Sequence, residues 1–213
     1  MPAHPAGKEA AVADIRTLFF DVGGVLLSNA WGQEQRARAI AHFHLEEEEF
    51  RDRHELVVSR FETGRLSLAG YLDRTVFFRP RSFTRGDFTA FLFAQSEAKA
   101  ESLELARELA GAGRWQMATI NNESRELNLY RIRQFGLQAI FRVFFSSCYV
   151  KLRKPDEAIY ELALAMTQRE PQECVFIDDR EVNLECARRL GMHALHFRSA
   201  SLLRQELLKL GVG

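Results

Sequence analysis

The chain has 213 residues, of which 46% are hydrophobic and 27% charged, and its twenty-nine basic side chains balance twenty-nine acidic ones. That length can bury the core of one large domain, or of a core domain carrying a smaller insert. A neutral balance provides no field for nucleic acid or an anionic membrane, and no apolar run approaches a bilayer span, so neither is expected as a partner.

The opening "MPAHPAGKEAAVAD" lacks the charged start and long apolar centre of a signal peptide, and residues 1–14 are expected to form a disordered leader. "RTLFF" then reads as a strand ending at Asp21, after which Gly23 and Gly24 break the pattern. Far more chain than a crossover needs separates it from the next strand. Within 33–94, "EQRARAIAHF", "EEEFRDRHELVVSRF", "LAGYLDRTVFF" and "GDFTAFLFA" carry helical periodicity with turn signals at Gly64 and Pro80. The spacing predicts a helical insert over 31–96, with Glu97 to Ala110 as the helix that returns the chain to the sheet. Residues 15–30 and 97–213 then form the core.

Four further strands follow: "WQMATI" before Asn121, "RVFFSS" at 142–147, "CVFI" before Asp178, and "HALHF" at 193–197. They are continuously apolar, as strands covered on both faces of a parallel sheet should be. "KPDEAIYELALAM" places Pro155 where a first helical residue belongs, with Ile159, Leu162, Ala163 and Met166 on one face. "REVNLECARRLG" stacks Val182, Cys186 and Leu190 and stops at Gly191. The alternation implies a doubly wound α/β fold with a five-stranded parallel, Rossmann-like sheet. Cys148, Cys174 and Cys186 are widely spaced, which suits reduced thiols and a cytoplasmic location.

Ligands of open parallel sheets gather at the carboxyl ends of the strands. Here those ends lead to Asp21, to Asn121 with Asn122, to a loop reaching Lys154, and to Asp178 with Asp179. Three carboxylates, an ammonium and amide donors are what a magnesium ion and a phosphate require together. Taken singly, the glycine pair suits a tight turn, Lys154 a helix entry, and either motif-end aspartate a helix cap.

In order and spacing, "FFDVGGVLL", "ATINNES", "LRKPDEAIY" and "VFIDDREVN" with "CARRLGM" resemble the four motifs of the haloacid dehalogenase (HAD) superfamily of phosphohydrolases. The insert resembles that family's small helical cap, and "FETGRLSLAGYL" looks like the cap segment of members that hydrolyse small phosphate esters. The resemblance implies Asp21 as nucleophile, forming an aspartyl-phosphate that water hydrolyses. It implies Mg2+ held by Asp21, Asp178, Asp179 and the Gly23 carbonyl, Lys154 offsetting negative charge, and Asn121 with Gly23 and Gly24 contacting the phosphate. The implied activity is hydrolysis of a small phosphorylated metabolite by a monomer or homodimer.

The family's phosphatases usually place a second aspartate two residues after the nucleophile to protonate the leaving oxygen, and this chain has Gly23 there. Loss of general acid help costs on the order of a hundredfold or more. Three readings follow: a good leaving group, an acid from the cap or through water, or a non-catalytic phosphate-binding or regulatory relative. If the missing acid limits the rate, Gly23→Asp should raise activity on poor leaving groups. A 2-haloacid dehalogenase also lacks that acid, but it needs no metal and gives no reason for Asp178 and Asp179 to stand opposite Asp21. Within the insert, Trp31, Arg53, His54, Arg60 and Arg79 are candidates to face the substrate, and His42 and His44 are read as solvated surface.

Overall fold

A computed structural model describes residues 14–213, so the expected leader lies outside the described residues except for Asp14. The five strands are β1 (Thr17–Phe20), β2 (Gln116–Asn121), β3 (Val143–Ser146), β4 (Cys174–Asp178) and β5 (His193–His196). All pair in parallel in the order β3-β2-β1-β4-β5. From β1 the chain winds outward through β2 to β3, then returns to lay β4 against the other side of β1. The carboxyl ends of β1 and β4 therefore flank the switch point, where the loops leave in opposite directions and open a crevice. Phe20 pairs with Ile177, and the Asp21 amide donates to the Ile177 carbonyl at 2.8 Å. The register thus brings Asp21 alongside Asp178.

Strand period divides the apolar residues between two layers. Leu18, Phe20, Val175 and Ile177 join one cluster with Leu103, Leu105 and Leu109 of α5 (Ala100–Gly111), and with Leu203 and Leu207 of the last helix, Ala200–Lys209. Phe19, Ala118, Ile120 and Phe176 join the other with Ile159, Tyr160 and Ala163 of the helix Glu157–Thr167 and Leu184, Cys186 and Ala187 of the helix Glu181–Arg189. The central strands are buried on both faces, the reason their sequences are uniformly apolar.

Between β1 and α5 run four helices: α1 (Gln33–His42), α2 (Glu47–Glu62), α3 (Leu68–Thr75) and α4 (Arg85–Ala94). Glu46 caps α2 and Glu47, Glu48 and Glu49 fill its first turn, where acids complement the helix dipole. Ser67 caps α3, and Thr84 with Asp87 forms a capping box on α4. These helices close over their own cluster, which includes Phe50, Phe61, Tyr71, Leu72 and Phe88. Phe43, Phe77, Phe83, Phe91 and Phe93 pack at its rim. Phe78 lies instead beneath Arg53, 3.5 Å from the guanidinium carbon to the ring centre.

Past β2 come α6 (Arg125–Gln134) and a short α7 (Ser147–Val150). Glu157–Thr167, Glu181–Arg189 and Ala200–Lys209 complete the numbering as α8, α9 and α10. The insert docks on this region: Phe93 stacks on Tyr130 of α6 with ring centres 4.6 Å apart, and Ser147 donates from its hydroxyl to the Glu62 carbonyl at 2.7 Å. Lys151 holds three carbonyls, those of Thr63 and Gly64 at 3.0 Å and Cys148 at 2.8 Å. Among the described residues no helix is long and apolar enough to cross a membrane.

Two local expectations differ from the structure. Pro155 does not begin α8; Asp156 is its N-cap and accepts from the Ala158 amide at 3.2 Å, so the helix starts two residues later. Val182 and Met166 are exposed, because α9 and α8 turn Asn183 and Ala163 inward instead.

Candidate active site

The site begins where β1 ends. Asp21 is 8% exposed, and its Oδ1 accepts from the Val22 amide at 2.7 Å and from Lys154 Nζ at 2.9 Å, which fixes the plane of the carboxylate. Lys154 arrives from the loop after α7. Its backbone is clamped by Asn122, whose amide donates to the Lys154 carbonyl at 2.9 Å while its oxygen accepts from the Lys154 N–H at 2.9 Å. The ammonium bridges Asp21 to Asp178 Oδ2, at 2.6 Å.

Asp178, at the end of β4, is fully buried. Each of its oxygens takes a hydrogen bond from Asn183 Nδ2 at 3.0 Å, and Oδ1 takes another from the Arg180 amide at 2.8 Å. Asn183 is held in turn by Tyr160, whose hydroxyl donates to its carbonyl at 3.0 Å. A buried carboxylate needs this degree of partnering, since each lone pair lost from water costs on the order of 1–3 kcal/mol if left empty. Asp179 differs: its Oδ1 is buried with no hydrogen-bond partner among the described residues, and Asn29 approaches its Oδ2 only at 3.5 Å.

One oxygen from each of Asp21, Asp178 and Asp179 lies within 4.8 Å of the others. Three carboxylates facing one ammonium are under-compensated. Burial pushes the Asp21 pKa up to about 7, the nearby Lys154 pulling it down and Asp178 and Asp179 adding to the rise. Burial works against the charge on Lys154 as well, but Asp21 and Asp178 outweigh it and its pKa is raised. The unpartnered Asp179 oxygen, converging acids and surplus negative charge fit a divalent cation bound by hard oxygen ligands. Gly24 belongs to this fit: at φ +76° it lies so close to Asp179 that a Cβ there would stand 2.0 Å from Oδ2. Only glycine lets the turn pass the acid.

A cleft of about 520 Å³ opens above these groups, between the core and the insert. Asp21, Lys154 and Asp179 face it from the core, and Trp31, Arg36 and His54 from the insert. Arg131, Arg153 and Arg180 add positive charge to its wall. His54 is nearly buried on α2, with its Nδ1 2.8 Å from the Tyr71 hydroxyl. That hydroxyl accepts from Trp31 Nε1 at 2.9 Å, which leaves its own proton free to go to a neutral His54 protonated on Nε2. Burial, with Arg36 nearby, lowers the His54 pKa to about 4.

Of the residues expected from sequence, Asp21, Lys154, Asp178, Asp179 and Gly23 meet here. Asn121 does not face the cleft: it is buried, donating its amide to Asn128 Oδ1 at 3.1 Å and accepting from the Ser146 hydroxyl at 2.9 Å, so its side chain braces β2 against β3. The Gly24 amide donates to the Leu27 carbonyl at 2.8 Å, and the residue serves Asp179 more than a phosphate. From the insert, Trp31 and His54 line the cleft, whereas Arg53 and Arg79 pair with Glu49 elsewhere on the surface and Arg60 is exposed away from it. Sequence reasoning missed Asn122 as the clamp of Lys154, Asn183 as the clamp of Asp178, and Arg36 and Arg131 as cleft cations. Asn183 carried a readable signal, since it falls on the inward face one turn into a helix that begins beside Asp178. Arg131 carried none: a charged residue on a polar helix reads as surface.

A doubly wound α/β core whose acids and lysine converge at the switch point beneath a helical insert defines a class of hydrolase-like proteins. The sequence matches the haloacid dehalogenase-like hydrolase family over residues 15–191, and the chain belongs to that family. Similar proteins include flavin mononucleotide hydrolase 1 of Arabidopsis thaliana, 40% identical over 76 residues, or 36% of this chain and 31% of that one. The sesquiterpene phosphatase astK of Aspergillus oryzae is 29% identical over 111 residues, 52% of this chain and 56% of its own. The chain thus spans at most 56% of the length of either relative. A HAD family enzyme from Bacteroides thetaiotaomicron, solved in complex with magnesium and inorganic phosphate, shares the fold with a TM-score of 0.73 at 20% identity, over 86% of this chain and 94% of that one.

Proposed function

We propose that this chain is a magnesium-dependent phosphomonoester hydrolase that acts on a small phosphorylated metabolite through an aspartyl-phosphate on Asp21. The observation that carries the reading is the meeting of Asp21, Asp178 and Asp179, the first two paired with Lys154, with a buried Asp179 oxygen that has no partner among the described residues. Magnesium would be held by Asp21, Asp179 and Asp178, with the Gly23 carbonyl as a further ligand, and would offset the charge between a carboxylate and a phosphate dianion.

Asp21 attacks phosphorus with one carboxylate oxygen, and the phosphorus–oxygen bond to the leaving group breaks as the new bond forms. Lys154 holds the nucleophile in its rotamer and neutralises charge on the phosphoryl group as it transfers. Water then attacks the aspartyl-phosphate and releases inorganic phosphate. Residues 31–96 act as a cap whose face toward the cleft selects the substrate and excludes water. Three buried, unpaired cysteines suit a reducing compartment such as the cytoplasm.

Incubation of the purified chain with Mg2+ and an aryl phosphate tests the reading. Turnover that disappears on chelation and in Asp21→Asn is expected. Gly23 favours one competing reading, a phosphate-binding module without turnover; phosphate binding with no hydrolysis across aryl, acyl and alkyl phosphates would establish that instead.

A further inference from the structure

Its chain neighbours aside, a Cβ built on Gly23 would meet Asn29 and Arg131, standing 2.9 Å from Asn29 Oδ1 and 3.7 Å from Arg131 Nη1. Arg131 is 3% exposed, an unusual degree of burial for a guanidinium, and it lines the same cleft as Asp21. It is anchored from behind. Nη1 donates to Glu123 Oε2 at 2.9 Å and Nη2 to the Ser28 carbonyl at 2.7 Å, taking up two of its five N–H donors, while Nε is buried with no partner among the described residues. Glu123 is itself held by the Ser124 amide at 2.9 Å. A buried, braced guanidinium with donors to spare, aimed at the gap beside the nucleophile, is an arrangement built to receive an oxygen that carries developing negative charge.

We propose that Arg131, with Asn29 beside it, receives the leaving-group oxygen and stabilises it as an anion, so that the site selects phosphates of weakly basic leaving groups such as acyl, aryl or anomeric sugar phosphates. This rests on the phosphatase reading above. The balance of the step follows from the chemistry of arginine, which does not give up a proton at working pH. As Asp21 forms its bond to phosphorus, the electron pair of the breaking bond stays on the leaving oxygen. That oxygen departs as an anion hydrogen-bonded to Arg131 and takes its proton from water afterwards. A strongly basic alkoxide is poorly served by such a site; a carboxylate or phenolate is well served.

The same geometry reverses an expectation drawn from the sequence. An aspartate at position 23 would have to displace the Asn29 side chain, which its Cβ would meet at 2.9 Å, and its carboxylate would then come within reach of Arg131; paired there, it would take up the oxygen's partner without supplying a proton donor.

The test is a series of aryl, acyl and alkyl phosphates of graded leaving-group basicity, assayed with Mg2+ for the wild type, Gly23→Asp, and the double variant Arg131→Met/Glu123→Gln, which avoids leaving an acid buried and unpaired. Circular dichroism and thermal melting establish that each variant is folded. The double variant should lose on the order of a hundredfold in kcat/KM, with the loss deepening as the leaving group becomes more basic, and Gly23→Asp should lose activity on aryl phosphates and gain none on alkyl phosphates. A loss equal across the series, or no loss, overturns the assignment to Arg131. A gain of tenfold or more on alkyl phosphates in Gly23→Asp overturns it as well, and that variant keeps the question decidable if the double variant does not fold. Absence of turnover in the wild type on every substrate would strike the phosphatase reading itself, and this proposal with it.

A second readout is independent of catalysis. Gly23→Asp and the Arg131→Met/Glu123→Gln pair form a thermal-stability cycle, in which Gly23→Asp should cost more melting temperature in the double-variant background than in the wild type. Additive shifts would mean that position 23 does not face the guanidinium.

Discussion

At the scale of single residues, the site is a set of carboxylates with unequal company. Asp178 takes hydrogen bonds from Lys154, Asn183 and the Arg180 amide, whereas Asp179 keeps an oxygen unpartnered among the described residues, so in the proposed ion site the two neighbours in sequence would contribute unequally, Asp178 also fixing the lysine. Gly24 is the residue that permits this. In Gly24→Ala the new methyl would need both a left-handed backbone and the space of the Asp179 carboxylate. We expect a loss of about 1–3 kcal/mol in stability and a roughly tenfold or greater weakening of Mg2+ binding by calorimetry, the scale seen when a ligand's support is disturbed. Unchanged Mg2+ affinity would place the ion elsewhere. Asp21, Lys154, Asp178 and Asp179 were legible in the sequence because each ends or follows an apolar strand, where side chains are carried to the rim of the sheet. The direction of a terminal side chain was less legible. Asn121 also ends a strand, yet Asn128 and Ser146 turn it inward, and those partners belong to neighbouring elements that the local pattern of β2 does not reveal.

Among the elements, the five strands and the helices of the insert could be read from apolar runs and helical spacing, since burial on both faces or on one leaves a period in the sequence. What could not be read was how the insert's helices meet. His54 on α2 bonds Tyr71 on α3, which bonds Trp31 in the loop before α1, and this polar chain through an aromatic cluster is invisible to periodicity. It has a consequence for stability. With its folded pKa near 4, below the ordinary value of 6.5, His54 favours the neutral form in the native state. Its contribution is complete above pH 6.5, declines as pH falls through the interval and levels out below about 4, for a total of roughly 1–3 kcal/mol. His54→Gln keeps an acceptor for Tyr71 without titrating, so its stability, measured by urea unfolding, should fall less between pH 6.5 and 4 than that of the parent. Parallel curves would show that His54 is not the group that titrates.

For the molecule as a whole, the cleft exists because two separately packed bodies meet. The insert closes on an aromatic cluster joined by Leu127 and Tyr130 of α6, the core on the two faces of its sheet, and the two are fastened by the Phe93–Tyr130 stack, the Leu68 amide bond to Glu126 at 3.0 Å, the Ser28 hydroxyl bond to the Gln95 carbonyl at 2.7 Å, the Arg153–Glu62 ion pair at 3.1 Å, the Ser147 bond to Glu62 and the carbonyls gathered by Lys151. Lys151→Met should release the turn after α2. We expect faster amide exchange over 60–67, with a raised KM and a global melting temperature within a few degrees of the parent, because the apolar clusters on either side are untouched. Exchange at its original rate would mean that the other contacts between insert and core suffice.

The Lys151 anchor grips main-chain oxygens, and two of the three belong to the insert. Such a fastening is indifferent to which side chains the neighbouring helices carry. The wall facing the substrate is thus free to be rewritten residue by residue while the seam below it stays closed, a separation that would let one hydrolytic centre be fitted with many different lids.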